Sequence, residues 1–157
     1  MSSADVSPVV ARIVNRIQTV ANVGLVYAHD LWARDDLQPL LVSTIAGAPT
    51  LRAWWVSGPT MTAQRLTQTT GGYQERQWLY TLYGIEGLDA VGDCVVTLRD
   101  KALAVADALD LDPTLNSTCH RSWPCEWPQR PEFHSMLGVG GVALVQMTKQ
   151  VLTISTP

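Results

Sequence analysis

The chain has 157 residues and a mass of 17.2 kDa, a size that fits one domain with one core. Its apolar share of 46% is typical of a globular protein and excludes a disordered one. A net charge of −3 and a pI near 5.5 provide no basic footprint for binding nucleic acid.

The charged residues are few and unusually chosen. Eleven basic and 14 acidic residues make up 16% of the chain, against about 25% in an average soluble domain. Only Lys101 and Lys149 are lysines, Glu occurs four times, and there are six Trp. Subunit interfaces are rich in Trp and Arg and poor in Lys and Glu. The composition therefore predicts a protein that buries much of its surface against partners.

Three sequence features bear on the compartment. The polar first residues, with Asp5, do not resemble a signal peptide. The longest nearly apolar run, Leu137–Val145, is too short to span a bilayer. Three cysteines, an odd number, indicate free thiols in a reducing compartment. We expect a protein made in the cytoplasm that has no membrane partner.

The first third of the chain predicts two helices and a strand. A helix begins at Ser7-Pro8 and continues with helical apolar spacing to about Val20. A short strand is predicted over Leu25–His29. A brief helix is predicted over about residues 37–45 and ends before Gly47.

The middle of the chain predicts a pair of strands, Leu51–Met61 and Tyr73–Ile85, in which alternation fits a half-buried sheet. The connecting segment Thr62–Gly72 is rich in Thr, Gln and Gly and predicts a loop that is mobile or ordered by a partner.

The last part predicts the longest helix, a proline-rich loop and a final strand. Asp89 is a suitable N-cap for a helix over about Ala90–Leu109, Asn116–Glu132 is expected to be irregular, and Gly141–Ser155 favours a long strand. The predicted fold class is α+β: an antiparallel or mixed sheet of about four to five strands, two main helices packed on one face, and long connecting loops, all in a single domain.

Residues that could carry chemistry do not form a recognisable site. The cluster Cys119, His120, Cys125 and His134 lacks the regular ligand pairs of structural zinc. No nucleophile motif accompanies the histidines, and no lysine-bearing helix follows the glycines at 138–141. The sequence predicts no enzyme, no catalytic residue, no metal and no cofactor.

The aromatic and arginine residues are better explained by assembly. Adjacent strand residues point to opposite faces, so we expect either Trp54 or Trp55 to be exposed or to meet another subunit. For Trp123 and Trp127, docking to a partner and packing onto their own subunit both remain open. The candidate interface residues are Trp54, Trp55, Arg65, Tyr73, Trp123, Trp127, Arg121 and Arg130.

The order of these signals resembles a known family. Val23-Gly24-Leu25-Val26-Tyr27 follows the first helix, and an aspartate-bearing turn, Asp35-Asp36-Leu37, comes next. A tryptophan strand, Leu51-Arg52-Ala53-Trp54, precedes an aromatic strand that closes in Leu82-Tyr83-Gly84-Ile85-Glu86-Gly87-Leu88-Asp89-Ala90. Over roughly Val9 to Ile154 the chain resembles the tail terminator, or tail completion, proteins of long-tailed bacteriophages.

The resemblance implies a structural virion protein that assembles in the host cytoplasm into a homohexameric ring. Such a ring caps the tail tube, ends its polymerisation and offers the surface that joins the head. Its partners would be other copies of the chain, the tail tube protein and the head–tail connector or neck proteins, with DNA only passing through the lumen. The loops Thr62–Gly72 and Asn116–Glu132 are expected to supply contacts between subunits or along the axis.

Two alternatives remain at this point. One is another neck or tail-assembly component, such as a tail tube or head-completion protein. The other is a small soluble ligand-binding or enzymatic α+β domain, which would be a monomer or dimer with an apolar pocket lined by convergent polar groups.

Overall fold

The structure is a computed structural model, and it describes residues 7–31, 38–66, 72–87, 94–127, 132–136 and 140–155. Three helices and seven strands lie in these ranges. They are α1 (Ser7–Gln18), β1 (Leu25–Tyr27), α2 (Gln38–Leu41), β2 (Val42–Ile45), β3 (Ala48–Leu66), β4 (Gln74–Gly87), α3 (Cys94–Asp110), β5 (Arg121–Ser122), β6 (Glu132–Met136) and β7 (Gly140–Ser155).

The strands form one mixed sheet in the order β1-β3-β4-β7-β5, with β2 beside β3 and β6 beside β7. β1 pairs with β3 in parallel, and the other pairs are antiparallel. The predicted α+β class is therefore confirmed. The described residues hold seven strands rather than four or five, because β2, β5 and β6 lie in segments for which no strand was expected.

The two main helices pack on one face of the sheet, as predicted. α1 buries Val9, Ile13 and Ile17, which are spaced four residues apart and so share one side of the helix. α3 buries Leu98, Ala102, Val105, Ala106 and Leu109 in the same way. These side chains meet the sheet residues Trp54, Val56, Trp78, Tyr80, Leu82, Ala143, Val145, Met147 and Val151 in the main core.

A second, smaller core covers part of the opposite face. It consists of Leu31, Leu41, Ala53, Trp55, Ile85 and Val142. The short helix α2 and the chain after β1 therefore close the back of the sheet near the start of β3.

The helix predicted over residues 37–45 is wrong in its second half. Only Gln38–Leu41 is helical, and Val42–Ile45 forms β2, which pairs with the beginning of β3. Ala46 and Gly47 have φ angles of 51° and 80°, as a two-residue hairpin turn requires. Gly47 thus marks a hairpin turn and not the end of a helix.

The loop predicted over Thr62–Gly72 is also wrong in part. β3 continues to Leu66, in register with a β4 that begins at Gln74. The remaining loop residues 67–71 lie outside the described ranges, as does the predicted helix start at Ala90. Thr62–Leu66 is strand because β4 supplies a partner ladder there, which is information that local composition does not contain.

Residues 111–127, here called the strap, run from the end of α3 along the outer edge of β7. The expectation of an irregular segment holds for most of the strap, but Arg121–Ser122 forms β5. Its backbone bonds to β7 are His120 N to Leu152 O at 2.9 Å, Trp123 N to Gln150 O at 3.0 Å, Glu126 N to Thr148 O at 3.0 Å and Thr148 N to Glu126 O at 2.8 Å. The strap therefore covers this sheet edge.

Candidate functional site

Trp54 and Trp55 point to opposite faces of the sheet, yet both are fully buried within their own chain. Trp54 lies in the main core and Trp55 in the second core, where its ring stacks on Tyr83 with centroids 5.4 Å apart. The expectation that one of them is exposed or meets another subunit is wrong, because the second core covers the back of the sheet at this position. Neither indole is available to a partner.

Arg65 and Tyr73 lie at the far end of the β3–β4 hairpin. We call this region the distal end; it comprises Thr60–Leu66 of β3, residues 72–77 and Thr153–Ser155 of β7. Arg65 stands opposite Glu75 in the register, and Leu66 stands opposite Gln74. The structure therefore brings these two candidate residues into one region.

Among the described residues, most of the large apolar side chains that are exposed lie at the distal end. The described part of the chain has six exposed large apolar side chains, and four of them lie here: Met61, Leu66, Tyr73 and Ile154. Leu66 is the most exposed of the four, at 63%. Met61 and Leu66 share the face of Trp78, whereas Ile154 lies on the other face, so exposed apolar groups occupy both faces at this end of the sheet. Exposed apolar side chains gathered in one region are typical of an interaction surface.

No described strand pairs with the outer edge of β3 over the same stretch. β2 pairs with Ala48–Leu51 and β1 with Ala53–Trp55, whereas in the described ranges only β4 pairs with Thr60–Leu66. An exposed strand edge presents unpaired N–H and C=O groups that can template another strand. Irregularities in the ladder precede Ala63, so Ala63–Leu66 is its regular part.

The strap holds three of the other candidate residues. The guanidinium of Arg121 lies 5.3 Å from the ring centroid of Trp123, within cation–π range. Trp123 and Trp127 are both half-buried, and Trp127 packs against the main core. Of the two possibilities left open by the sequence, Trp127 thus packs on its own subunit. Arg130 lies outside the described ranges.

The strap cysteines are thiols with raised pKa values. Burial, reinforced by Asp112 and opposed by Lys149, raises the pKa of Cys119 to about 11. Burial likewise raises the pKa of Cys125 to about 12, with Lys149 opposing and Asp110 reinforcing the shift. Both remain neutral at pH 7, which disfavours nucleophilic and metal-binding roles. In the part of the chain that the structure describes, no group of three or more His, Cys, Asp or Glu residues could hold a metal ion.

A cavity of about 500 Å³ lies between the start of α1 and the strap. Its lining consists of Pro8, Ser117, Thr118, Cys119, His120, Thr153 and Ile154. The lining contains no carboxylate or lysine, and the one hydroxyl of Thr153 accepts a bond from Trp78 Nε1 at 2.8 Å. Its polar lining groups are the hydroxyls of Ser117, Thr118 and Thr153, the thiol of Cys119 and the imidazole of His120. None of the described helices is long and apolar enough to cross a membrane.

The sequence reasoning missed two ion pairs: Arg52–Glu86, in which both side chains are buried, and Lys149–Asp110, in which only the lysine is buried. Arg52 and Glu86 face each other across β3 and β4 and form a two-bond pair, with Nη2 to Oε1 at 2.6 Å and a second bond from Nε to Oε2. Lys149, only 1% exposed, donates from Nζ to Asp110 Oδ1 at 2.6 Å. The sequence does show charged residues within predicted strands, which is a sign of buried ion pairs. Which residues pair, however, follows only from the register of the strands in the sheet.

Comparisons with known proteins add no relative. A scan of the chain against models of known protein families finds no match, and a search of curated proteins finds none either. The assignment of function therefore depends on the residues and surfaces described above.

Proposed function

We propose that the protein is the tail terminator subunit of a long-tailed bacteriophage, which forms a ring on the tail tube. The observation that carries this proposal is the distal end, where an open strand edge and exposed apolar side chains coincide. Leaving both features in water is unfavourable for a monomer and favours burial against another protein. A charged share of 16% is consistent with this interpretation.

The two strand segments that carry the resemblance to tail terminators pair with each other in the sheet. Leu51-Arg52-Ala53-Trp54 lies on β3, and the segment from Leu82 lies on β4. Arg52 stands opposite Glu86, and Trp54 stands opposite Gly84. The residues on which the resemblance depends therefore lie opposite one another on two paired strands.

The mechanism that follows is geometric. A ring closes when a head-to-tail contact between identical subunits returns to its starting point. We assign the distal end to that contact, since the strap already covers the opposite edge of β7 in each subunit. One side of the ring would bind the last ring of tail tube protein, the other the neck proteins, and DNA would only pass through the lumen. The expected location is the virion tail, after assembly in the host cytoplasm.

The test is the mass of the purified protein in solution, followed by electron microscopy with the tail tube protein of the same phage. A terminator forms closed rings, alone or on tube ends, and stops the tubes from growing. Long tubes formed by the protein itself would instead identify a tube protein. A monomer or dimer that never engages tube protein overturns the proposal and favours the ligand-binding alternative.

A further inference from the structure

A small polar cavity lies beneath the strap, apart from the distal end. Its volume is about 130 Å³, and its lining consists of Asp110, Pro113, Ser122, Trp123, Pro124 and Lys149. Lys149 and Ser122, at 1% and 7% exposure, are among the few buried polar side chains of the chain. A buried ammonium and a buried hydroxyl therefore border the same space.

The hydrogen-bonding capacity of these groups exceeds what the protein supplies. An ammonium has three N–H donors, and Lys149 Nζ uses one of them on Asp110 Oδ1 at 2.6 Å. Ser122 Oγ is buried and has no hydrogen-bond partner within the described residues, although its backbone N–H donates to Pro113 O at 2.7 Å. A buried polar group without a partner destabilises the fold, so such groups are normally satisfied by protein or by ordered water.

We propose that this cavity is a hydration site, in which ordered water molecules bridge Lys149 Nζ and Ser122 Oγ and complete their hydrogen bonds. Water fits by size, because about 130 Å³ has room for roughly four molecules at ~30 Å³ each. It also fits by charge. Lys149 is already neutralised by Asp110, and Asp110 is the last residue of α3, where the helix dipole disfavours a further anion.

The carboxylate of Asp110 ties this site to the strap. Its Oδ1 and Oδ2 accept a hydrogen bond from the backbone N–H of Cys125 at 3.1 and 3.2 Å, and its Oδ1 also accepts a hydrogen bond from Lys149 Nζ. The water cluster therefore lies at the junction of α3, β7 and the strap, and it stabilises the position from which the strap covers the sheet edge.

A crystal structure at about 1.5 Å resolution tests the site directly. The expected result is ordered water density within about 3.2 Å of both Lys149 Nζ and Ser122 Oγ. Ser122→Ala should lose one of these waters and keep the contact between Lys149 and Asp110. An empty cavity, or a direct bond from Ser122 Oγ to another protein group, overturns the proposal.

A solution measurement is made simple by the composition, because Lys101 is the only other lysine. In a Lys101→Arg variant, the side-chain ammonium signal in a ¹⁵N nuclear magnetic resonance spectrum belongs to Lys149 alone. Its protons should show cross-peaks to long-lived water that weaken in the Lys101→Arg/Ser122→Ala double variant. A persistent ammonium signal without water cross-peaks contradicts the proposal.

Discussion

The indole ring of Trp54 occupies the space in which a side chain at position 84 would stand. Trp54 and Gly84 are direct register partners on β3 and β4, and a Cβ at Gly84 would lie 2.6 Å from ring atom Cζ2. Because Gly84 has no Cβ, the Trp54 ring can approach the β4 backbone closely within the main core. Gly84 is thus required by its neighbour and not by a turn.

Substitution of Gly84 therefore tests this contact. Gly84→Ala should lower the free energy of unfolding by about 1–3 kcal/mol, because the added methyl group overpacks a core that cannot yield. Urea unfolding measures the change. Gly87→Ala is the matched control on the same strand. A Cβ at Gly87 would lie 3.0 Å from Leu51 Cβ, farther than the 2.6 Å at Gly84, so its effect on stability should be smaller. Equal effects of the two substitutions would show that Trp54 moves aside without cost.

Because Arg52 and Glu86 form a buried ion pair, the effects of substituting them on stability should depend strongly on each other. Arg52→Met leaves a buried carboxylate without its partner and should cost about 3–5 kcal/mol. Replacing both residues, as Arg52→Met/Glu86→Leu, should restore most of the lost stability because no charge remains to be buried. A double-mutant cycle from chemical denaturation measures this. A double variant that is as unstable as the sum of the single variants contradicts the prediction.

The ionisation of Asp112 should make the stability of the protein depend on pH in the acidic range. Burial alone would raise the pKa of Asp112, but the backbone N–H of Asn116 and the guanidiniums of Arg16 and Arg12 outweigh it and lower the pKa to about 2. Because the folded-state pKa is depressed, the stabilisation is present above the ordinary value of about 4 and is lost as the pH falls towards 2.

Asp112→Asn should therefore destabilise the protein by roughly 1 kcal/mol at pH 7, a value discounted for partial solvent screening. The difference from the wild type should shrink as the pH falls from about 4 to 2, and urea unfolding at a series of pH values measures it. A difference that is constant over this range would mean that the ion pairs to Arg12 and Arg16 do not form in solution.

The distal end predicts an effect on assembly without an effect on folding. Leu66 is 63% exposed, so Leu66→Glu should leave the stability of the monomer within about 0.5 kcal/mol of the wild type. If the distal end is the contact between subunits, ring formation should weaken at least tenfold, as measured by light scattering. Leu111→Glu is the control, because Leu111 is 81% exposed at the end of α3, outside the distal end. Equal ring formation by both variants would remove the distal end from the interface.

If another strand pairs with the outer edge of β3, proline substitutions at neighbouring residues of β3 should have different effects. Neighbouring strand residues direct their N–H groups to opposite edges, so one of Gln64 and Arg65 donates towards β4 and the other towards the open edge. Of Gln64→Pro and Arg65→Pro, one should therefore unfold the hairpin locally. The other should keep the monomer's thermal midpoint and lose only the ring. If the variant that keeps the fold also keeps the ring, no strand is added at this edge.

The part of the fold that could be predicted from sequence is the part governed by local periodicity. α1 begins at Ser7, as its Ser-Pro start and four-residue apolar spacing indicate, and β7 covers the predicted final strand. Segments 42–45 and 62–66 were misassigned because their strand character depends on pairing with β3 and β4. A helix-stop glycine and a hairpin glycine also look alike until the φ angles of Ala46 and Gly47 are known.

The candidate interface residues were likewise predictable only in part from the sequence. Composition alone indicated a protein with too few charges for a fully solvated surface, and strand alternation placed Trp54 and Trp55 on opposite faces. The tertiary structure decided that both indoles are internal, since α2 and the chain after β1 form a second core behind the sheet. The structure also showed that Met61, Leu66, Tyr73 and Ile154, and not Trp54 or Trp55, are the exposed apolar residues of these strands and their connection. Burial and pairing depend on residues distant along the chain, so a local pattern determines which way a side chain points, while only the fold determines what it meets.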